Sequence, residues 1–219
     1  MSIAVAVFGT SRSGKDSTIN DAIEILSEKG MHFTHISPTI MLQKELNGRK
    51  LRQISEEEKH SVIDIVRHNL YGLFPDNNVF VDEHFSFPLK YDGKTIDNEY
   101  YGEKLPSFKR GRRADRLYDV VFKDEWIEKY DVVVYLEINP KIILKRFRTS
   151  IGDKNNPFIT SEDIRQWQLF ELERIQTICN DRKVPLFYIY DHEKSGKEMD
   201  VIMSHYLKHN RNHIDNQRK

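Results

Sequence analysis

The sequence predicts an α/β fold of three layers, in which helices cover both faces of a five-stranded parallel sheet. Short apolar runs alternate along the chain with amphipathic segments, which is the pattern of strands joined by helical crossovers. The apolar runs are rich in β-branched residues, as expected for strands buried on both faces. The length of 219 residues suits one domain of this kind with a buried core.

The first half of the chain contains three predicted strands. The opening run IAVAVFG predicts a central strand, and the apolar spacing that follows predicts a helix over residues 17–29. The run MHFTHIS predicts the second strand, and a short helix is predicted after it over 38–46. Ser55 and Glu58 form the serine-x-x-glutamate pattern that caps a further helix. NVFVDEH then predicts the third strand.

The second half supplies the remaining two strands. DVVVYLEI predicts the fourth strand, after which Asn139 and Pro140 start a helix that ends near Arg148. Thr160 or Ser161 caps the next helix, PLFYIYD predicts the fifth strand and GKEMDVIMSHYLKH the last helix. The predicted organisation is one domain over 1–208, with an insertion at 89–116, a lid loop at 149–159 and a flexible tail at 209–219.

Composition narrows the possible classes of function. Lys and Arg total 34 and Asp and Glu total 34, so a general nucleic-acid-binding or membrane-surface protein is not expected. The single cysteine, Cys179, allows no intrachain disulfide and is expected to be a small buried residue in a reducing compartment. The N-terminal apolar run is too short for a signal peptide, and no stretch reaches membrane-spanning length. We therefore expect a cytoplasmic protein.

The stretch GTSRSGKDST, residues 9–18, has the spacing of a phosphate-binding loop, or P-loop. Gly9, Gly14 and Lys15 fit the pattern of a glycine, four residues and then glycine-lysine, between a predicted strand and a predicted helix. Glycines let backbone amides point at phosphate oxygens, and the helix N-terminus adds its positive end. The predicted fold class is thus a P-loop NTPase. The residues predicted to bind ATP are Gly9, Ser11, Arg12, Ser13, Gly14, Lys15, Asp16, Ser17 and Thr18.

Asp16 stands where the usual P-loop has a serine or threonine that ligates magnesium. Asp16 could hold the ion through water, or Ser17 could supply a hydroxyl, because Mg²⁺ keeps several waters and is bound largely by phosphates. The second usual anchor is an acid at the end of a neighbouring strand, and Asp82 has that position. The predicted cofactors are therefore ATP and Mg²⁺, with metal contacts from Asp16, Ser17 and Asp82.

These motifs resemble those of nucleoside-monophosphate kinases, and of archaeal-type adenylate kinases in particular, over residues 1–195. The matching segments are GTSRSGKDS, HISPTIM, GRKLRQISEEEKHSVIDIVRHNL, VFVDEH, DVVVYLEINPKIILKRFR and SEDIRQWQLFELERI. The loop RSGKDST is more similar to the loops of phage deoxynucleoside-monophosphate kinases and animal-type phosphomevalonate kinases, which also have aspartate after the lysine. The resemblance implies transfer of the ATP γ-phosphate to a ribo- or deoxynucleoside monophosphate. The archaeal-type family that the chain resembles includes oligomers.

The resemblance also implies roles for individual residues. Lys15 would hold the donor phosphates and Arg52 the acceptor phosphate, while Arg146 and Arg148 would stabilise the transferred charge from the lid side. Glu83 does not match the threonine that the family has in this run. The acceptor site implied by the resemblance consists of Ser37, Thr39, Met41, Arg52, Asp82, His84 and Gln168.

Two alternative functions remain open from the sequence. The loop permits a kinase for another phosphorylated small molecule, such as phosphomevalonate, and nucleotide binding with slow hydrolysis would indicate a regulatory module instead. The insertion carries a basic cluster that either contacts a phosphate or is a solvated loop; its members are Lys109, Arg110, Arg112, Arg113 and Arg116. Neither a nucleic acid nor a membrane is an expected partner.

Overall fold

The computed structural model describes residues 2–50, 53–88, 118–149 and 160–217. Its strands are β1 (Ala4–Phe8), β2 (Thr34–Ile36), β3 (Val79–Asp82), β4 (Ser86–Pro88), β5 (Tyr118–Val120), β6 (Val132–Leu136) and β7 (Leu186–Ile189). Its helices are α1 (Lys15–Glu28), α2 (Pro38–Glu45), α3 (Glu56–Gly72), α4 (Pro140–Thr149), α5 (Ser161–Arg182) and α6 (Ser195–Gln217).

The central sheet contains five parallel strands in the order β2-β3-β1-β6-β7. All side chains of β1, β3 and β6 are buried, as expected for apolar strands that are covered on both faces. The predicted α/β fold with a five-stranded parallel sheet is therefore confirmed. Val7 near the end of β1 pairs with Asp82 on β3, so Asp82 lies next to the loop that follows β1.

Two apolar layers enclose the sheet. On one face Val7 and Phe80 pack in a core with residues of α1, α4 and α6, and on the other Phe8 and Tyr135 pack with residues of α3 and α5. Cys179 is buried in the second layer, as predicted. A Cβ added at Gly196 of α6 would lie 2.5 Å from the Asp21 Cβ, so the close contact of α6 with α1 requires glycine.

Two short antiparallel strands, β4 and β5, were not predicted. The predicted insertion at 89–116 falls between them and lies outside the described residues, as do residues 150–159 of the predicted lid loop. Helix α6 continues through Gln217, so most of the predicted tail at 209–219 is helical. The helix continues because residues 209–217 contain neither glycine nor proline to end it. Within the described ranges, no helix is both long and apolar enough to cross a membrane.

Candidate active site

The loop between β1 and α1 makes a tight turn that is closed by a hydrogen bond within its own backbone. Gly9, Arg12 and Gly14 have positive φ angles of 154°, 66° and 101°, and the Ser13 amide donates to the Thr10 carbonyl at 3.0 Å. Gly14 precedes α1 in the left-handed conformation and supplies no side-chain cap. The first amides of α1 therefore have no intrahelical acceptor and face the loop, where an anion can bind them.

Lys15 lies inside this loop and is 5% exposed. Its Nζ donates to the Gly9 carbonyl at 2.9 Å and lies 3.5 Å from Asp82 Oδ1. The structure thus brings together Gly9, Gly14 and Lys15 of the predicted loop and the predicted strand-end acid. A lysine held by a carbonyl and a carboxylate can exchange these contacts for phosphate oxygens without a change of fold.

Asp82 ends β3 and is 8% exposed. Burial raises the pKa of the Asp82 carboxyl to about 6, while the charge of Lys15 acts in the opposite direction and Asp16 adds to the rise. Asp82 Oδ1 receives no hydrogen bond from the described residues. A buried carboxylate oxygen of this kind is suited to a cation or to a ligated water.

His35 of β2 is a member of the site that the sequence interpretation missed. Its Nε2 lies 3.6 Å from Asp16 Oδ1, and one ligand atom each of Asp16, His35 and Asp82 lies within 4.8 Å of the others. Burial lowers the pKa of His35, against the attraction of Asp16. Its position in the run MHFTHIS becomes informative only once β2 is known to lie beside β3.

Arg146 contacts the loop directly. Its Nη1 donates to the carbonyls of Arg12 at 3.0 Å and Ser13 at 2.5 Å. The same nitrogen would be 2.8 Å from a Cβ at Gly14, so any other residue would displace the guanidinium, and the φ of 101° separately favours glycine. Arg148 is exposed near the end of α4. Of the two predicted lid-side arginines, the structure places Arg146 against the P-loop.

The predicted acceptor-side residues lie mostly at the carboxyl ends of β2 and β3. Ser37 occupies the N-cap position of α2 without a side-chain hydrogen bond to the helix, Pro38 lies in the first turn, and Thr39 is exposed on the same turn. Met41 is half-buried and packs against the core. Burial lowers the pKa of His84 well below its usual value, and Lys15 adds to this effect. Arg52 lies outside the described residues.

Two predicted site residues make structural contacts. Gln168 is buried and its Nε2 donates to the Ile138 carbonyl at 2.7 Å, which ties α5 to the segment after β6. Thr18 is buried and its hydroxyl donates to Ser195 Oγ at 2.8 Å, which ties α1 to α6. Both side chains position the helices around the loop.

A buried clamp holds the chain directly after Asp82. Glu83 accepts hydrogen bonds from Arg67 on α3, through Nη1 and through Nη2 at 3.0 Å, and from the Tyr130 hydroxyl. The Arg67 guanidinium lies 4.0 Å from the centre of the Trp126 ring, in a cation–π contact. Because Glu83 is the residue next to Asp82, this clamp fixes the end of β3 on which the site is built.

A second buried network joins α5 to the start of β4. Glu171 Oε1 accepts from the Ser86 amide at 3.1 Å and hydroxyl at 2.9 Å, and Oε2 accepts from Tyr135 at 3.2 Å. Trp167 Nε1 donates to Ser86 Oγ at 2.9 Å. Burial raises the pKa of Glu171 to about 7, although the hydrogen bonds from Ser86 favour the charged form.

The raised pKa of Glu171 predicts a pH-dependent stability. The stabilising contribution of Glu171 is complete below pH 4.5, the pKa of its carboxyl in the unfolded chain. This contribution is lost as the pH rises through about 7, the pKa of the carboxyl in the folded protein. Relative to Glu171→Gln, the wild type should lose roughly 2–3 kcal/mol of unfolding free energy between about pH 5 and pH 8. Urea denaturation at both pH values measures this difference. The exposed Glu173→Gln on the same helix is the control, and an equal pH dependence in all three proteins would contradict the prediction.

Comparison with known proteins gives the fold. No protein-family model and no curated protein matches the chain. A shikimate kinase from Bacteroides thetaiotaomicron, of known structure, superposes with a TM-score of 0.53 at 11% identity, over 92% of this chain and 98% of that one.

The chain has the fold of a P-loop kinase.

Two further solved structures are similar to this P-loop kinase fold. One is a shikimate kinase from Acinetobacter baumannii in complex with shikimate, with a TM-score of 0.49 and 15% identity over 96% of this chain and 95% of that one. The other is a gluconokinase from Sinorhizobium meliloti 1021, with a TM-score of 0.47 and 14% identity over 98% of this chain and 96% of that one.

Proposed function

We propose that this protein is a cytoplasmic P-loop kinase that transfers the γ-phosphate of Mg-ATP to a ribo- or deoxynucleoside monophosphate. The observation that carries the proposal is the convergence of Lys15, Arg146 and Asp82 on one glycine-rich loop at the start of α1. Phosphoryl transfer needs positioned positive charge around the phosphate oxygens more than it needs a covalent group. This arrangement supplies such charge.

The donor side is formed by the loop and its two cations. The amides at the start of α1 would bind phosphate oxygens, and the Lys15 ammonium would leave Asp82 and the Gly9 carbonyl to neutralise the terminal phosphates. Arg146 is held by the carbonyls of Arg12 and Ser13, so a second positive charge sits against the loop before any substrate binds. Preorganised charge of this kind requires little rearrangement during the reaction.

The carboxylates beside the loop fit magnesium. Asp82 Oδ1 is buried and lies 3.5 Å from the Lys15 ammonium, and Asp16 provides a second carboxylate nearby. Oxygen ligands and bound waters are what Mg²⁺ prefers. When bound with ATP, the ion would neutralise charge on the phosphates. Ser17, exposed on the first turn of α1, remains the proposed alternative to Asp16 as a contact.

The acceptor would bind where the carboxyl ends of β2 and β3 meet. Ser37 follows β2 and His84 follows β3, and the two strands are neighbours in the sheet. Ligands of open α/β sheets bind at this edge. The identity of the acceptor as a nucleoside monophosphate is supported by the sequence resemblance, in which Arg52 holds its phosphate.

An acceptor panel tests the proposed function. ADP production from Mg-ATP is measured with ribo- and deoxynucleoside monophosphates, phosphomevalonate and shikimate, each against a blank without acceptor. We expect one monophosphate to raise turnover far above the blank. Turnover with phosphomevalonate or shikimate alone would indicate a kinase for another small molecule. ATP binding without any active acceptor would favour a regulatory module.

A further inference from the structure

The chain between β3 and β4 passes the carboxyl edge of the sheet, where the phosphate acceptor is proposed to bind. Among residues 82–86, only His84 is half-buried, and the other four side chains are buried. This stretch therefore presents one side chain at that edge, the imidazole of His84. The direction of the imidazole depends on how the backbone on either side of it is held.

The backbone before His84 is fixed from β1 and α3. The Glu83 amide donates to the Val7 carbonyl of β1 at 3.0 Å. The Glu83 carboxylate accepts hydrogen bonds from Arg67 of α3 and from the Tyr130 hydroxyl. These contacts hold the chain on the N-terminal side of His84.

The backbone after His84 is fixed by Glu171 of α5. Glu171 is 1% exposed, and its Oε1 accepts from the Ser86 amide at 3.1 Å and from the Ser86 hydroxyl at 2.9 Å. Trp167 Nε1 can only donate, so the Ser86 hydroxyl accepts from it and gives its own proton to Glu171. The other Glu171 oxygen is bonded to Tyr135 of β6. Glu171 is therefore the group through which α5 and β6 hold the start of β4.

Glu171 and His84 also share the electrostatic field of the P-loop lysine. Burial raises the pKa of Glu171 and lowers the pKa of His84, while the charge of Lys15 lowers both. His84 is therefore neutral near pH 7, with one ring nitrogen that donates and one that accepts. A neutral imidazole has no net charge with which to attract a phosphate, so its contribution to binding depends on the direction of its hydrogen bonds.

We propose that Glu171 is a positioning residue for acceptor binding, which holds Ser86 and thereby directs the His84 imidazole toward the acceptor. This role rests on the proposed kinase function, in which His84 belongs to the acceptor site. Glu171 is buried and acts through Ser86 rather than by touching a substrate. Removal of its side chain leaves the amide and hydroxyl of Ser86 without their oxygen partner, whereas glutamine keeps an oxygen that can accept from both.

Steady-state kinetics with the best acceptor of the panel tests this role. Glu171→Ala should raise the KM for the acceptor by about 10–100-fold with kcat nearly unchanged, because a small misplacement of a binding group has an effect of this size. The KM for ATP should change by less than about 3-fold, since the hydrogen bonds of Glu171 go to β4 and β6 and not to the P-loop. Glu171→Gln should return the acceptor KM to within about 3-fold of the wild-type value. Glu173→Ala, at an exposed position of the same helix, is the control and should behave like the wild type.

A second measurement needs neither nucleotide nor acceptor. The ring Cε1–H resonance of His84 is observed by nuclear magnetic resonance in the full-length protein and is assigned by its absence from His84→Gln. We expect this resonance to shift or broaden in Glu171→Ala and to keep its wild-type position in Glu171→Gln and Glu173→Ala. Because the readout does not depend on turnover, failure of the positioning role is distinct from failure of the proposed function.

Three results would overturn the inference. One is an unchanged His84 resonance in folded Glu171→Ala, and another is an acceptor KM in that variant equal to the wild-type value. The third is an equal increase in the KM values for ATP and for the acceptor, which would indicate a general structural role. Circular dichroism establishes that each variant is folded.

Ser86→Ala takes the place of Glu171→Ala if that variant does not fold. It removes the hydroxyl that donates to Glu171 and keeps the amide that does so. Ser86→Ala should move the His84 resonance and raise the acceptor KM by about 2–10-fold, the effect of one hydrogen bond. No change in either quantity would equally overturn the inference.

Discussion

Lys15→Ala is expected to lower kcat for ADP production by at least about 10²–10³-fold while the fold is retained. Lys15 is the cation inside the P-loop, where its Nζ contacts the Gly9 carbonyl and Asp82. Its charge is proposed to stabilise the phosphates as negative charge redistributes during transfer. Steady-state kinetics with the best acceptor of the panel measures the effect, and circular dichroism measures folding.

Lys208, an exposed lysine of α6, provides a matched control for Lys15. Lys208→Ala removes the same side chain at an exposed position on the opposite end of the chain and should leave kcat unchanged. Loss of activity with a retained fold only in the Lys15 variant would support the proposed role of the loop. Wild-type turnover in Lys15→Ala would remove the loop from the mechanism.

Arg67→Met is expected to lower the free energy of unfolding by about 3–5 kcal/mol, because it leaves the carboxylate of Glu83 buried without its cation. Side-chain exposure is 12% for Arg67 and 2% for Glu83, so water cannot replace the lost partner. The substitution also removes the cation–π contact with Trp126. Urea denaturation of wild type and variant measures the change.

The ion pair of Arg182 with Glu128 is the control for the Arg67 prediction. Both of its side chains are nearly half exposed, at 44% and 48%. Arg182→Met should therefore cost no more than about 1 kcal/mol. The double variant Arg67→Met, Glu83→Gln should recover part of the loss, because it removes the unpaired buried charge. Equal destabilisation by the two arginine substitutions would show that the clamp contributes no more than a surface ion pair.

Sequence by itself determined the elements whose signals are local. The P-loop spacing, the strands and the helix caps each depend on residues within a few positions of one another. Ser55 accepts from the Glu58 amide, and Thr160 and Asp163 form a capping box, both at helix starts predicted from the sequence. The five apolar runs predicted the sheet for the same reason, because strands that are buried on both faces consist of nearly continuous apolar residues.

Only the tertiary structure decided which distant side chains share the site. Arg146 lies 134 positions from Arg12, yet its guanidinium binds the loop backbone. His35 lies close to Asp16 and Asp82 because β2 pairs with β3 in the sheet. Glu83 was assigned no role from the sequence, and the structure pairs its carboxylate with Arg67 of α3. Strand order and helix packing depend on the free energy of the whole core, which no local pattern of residues contains.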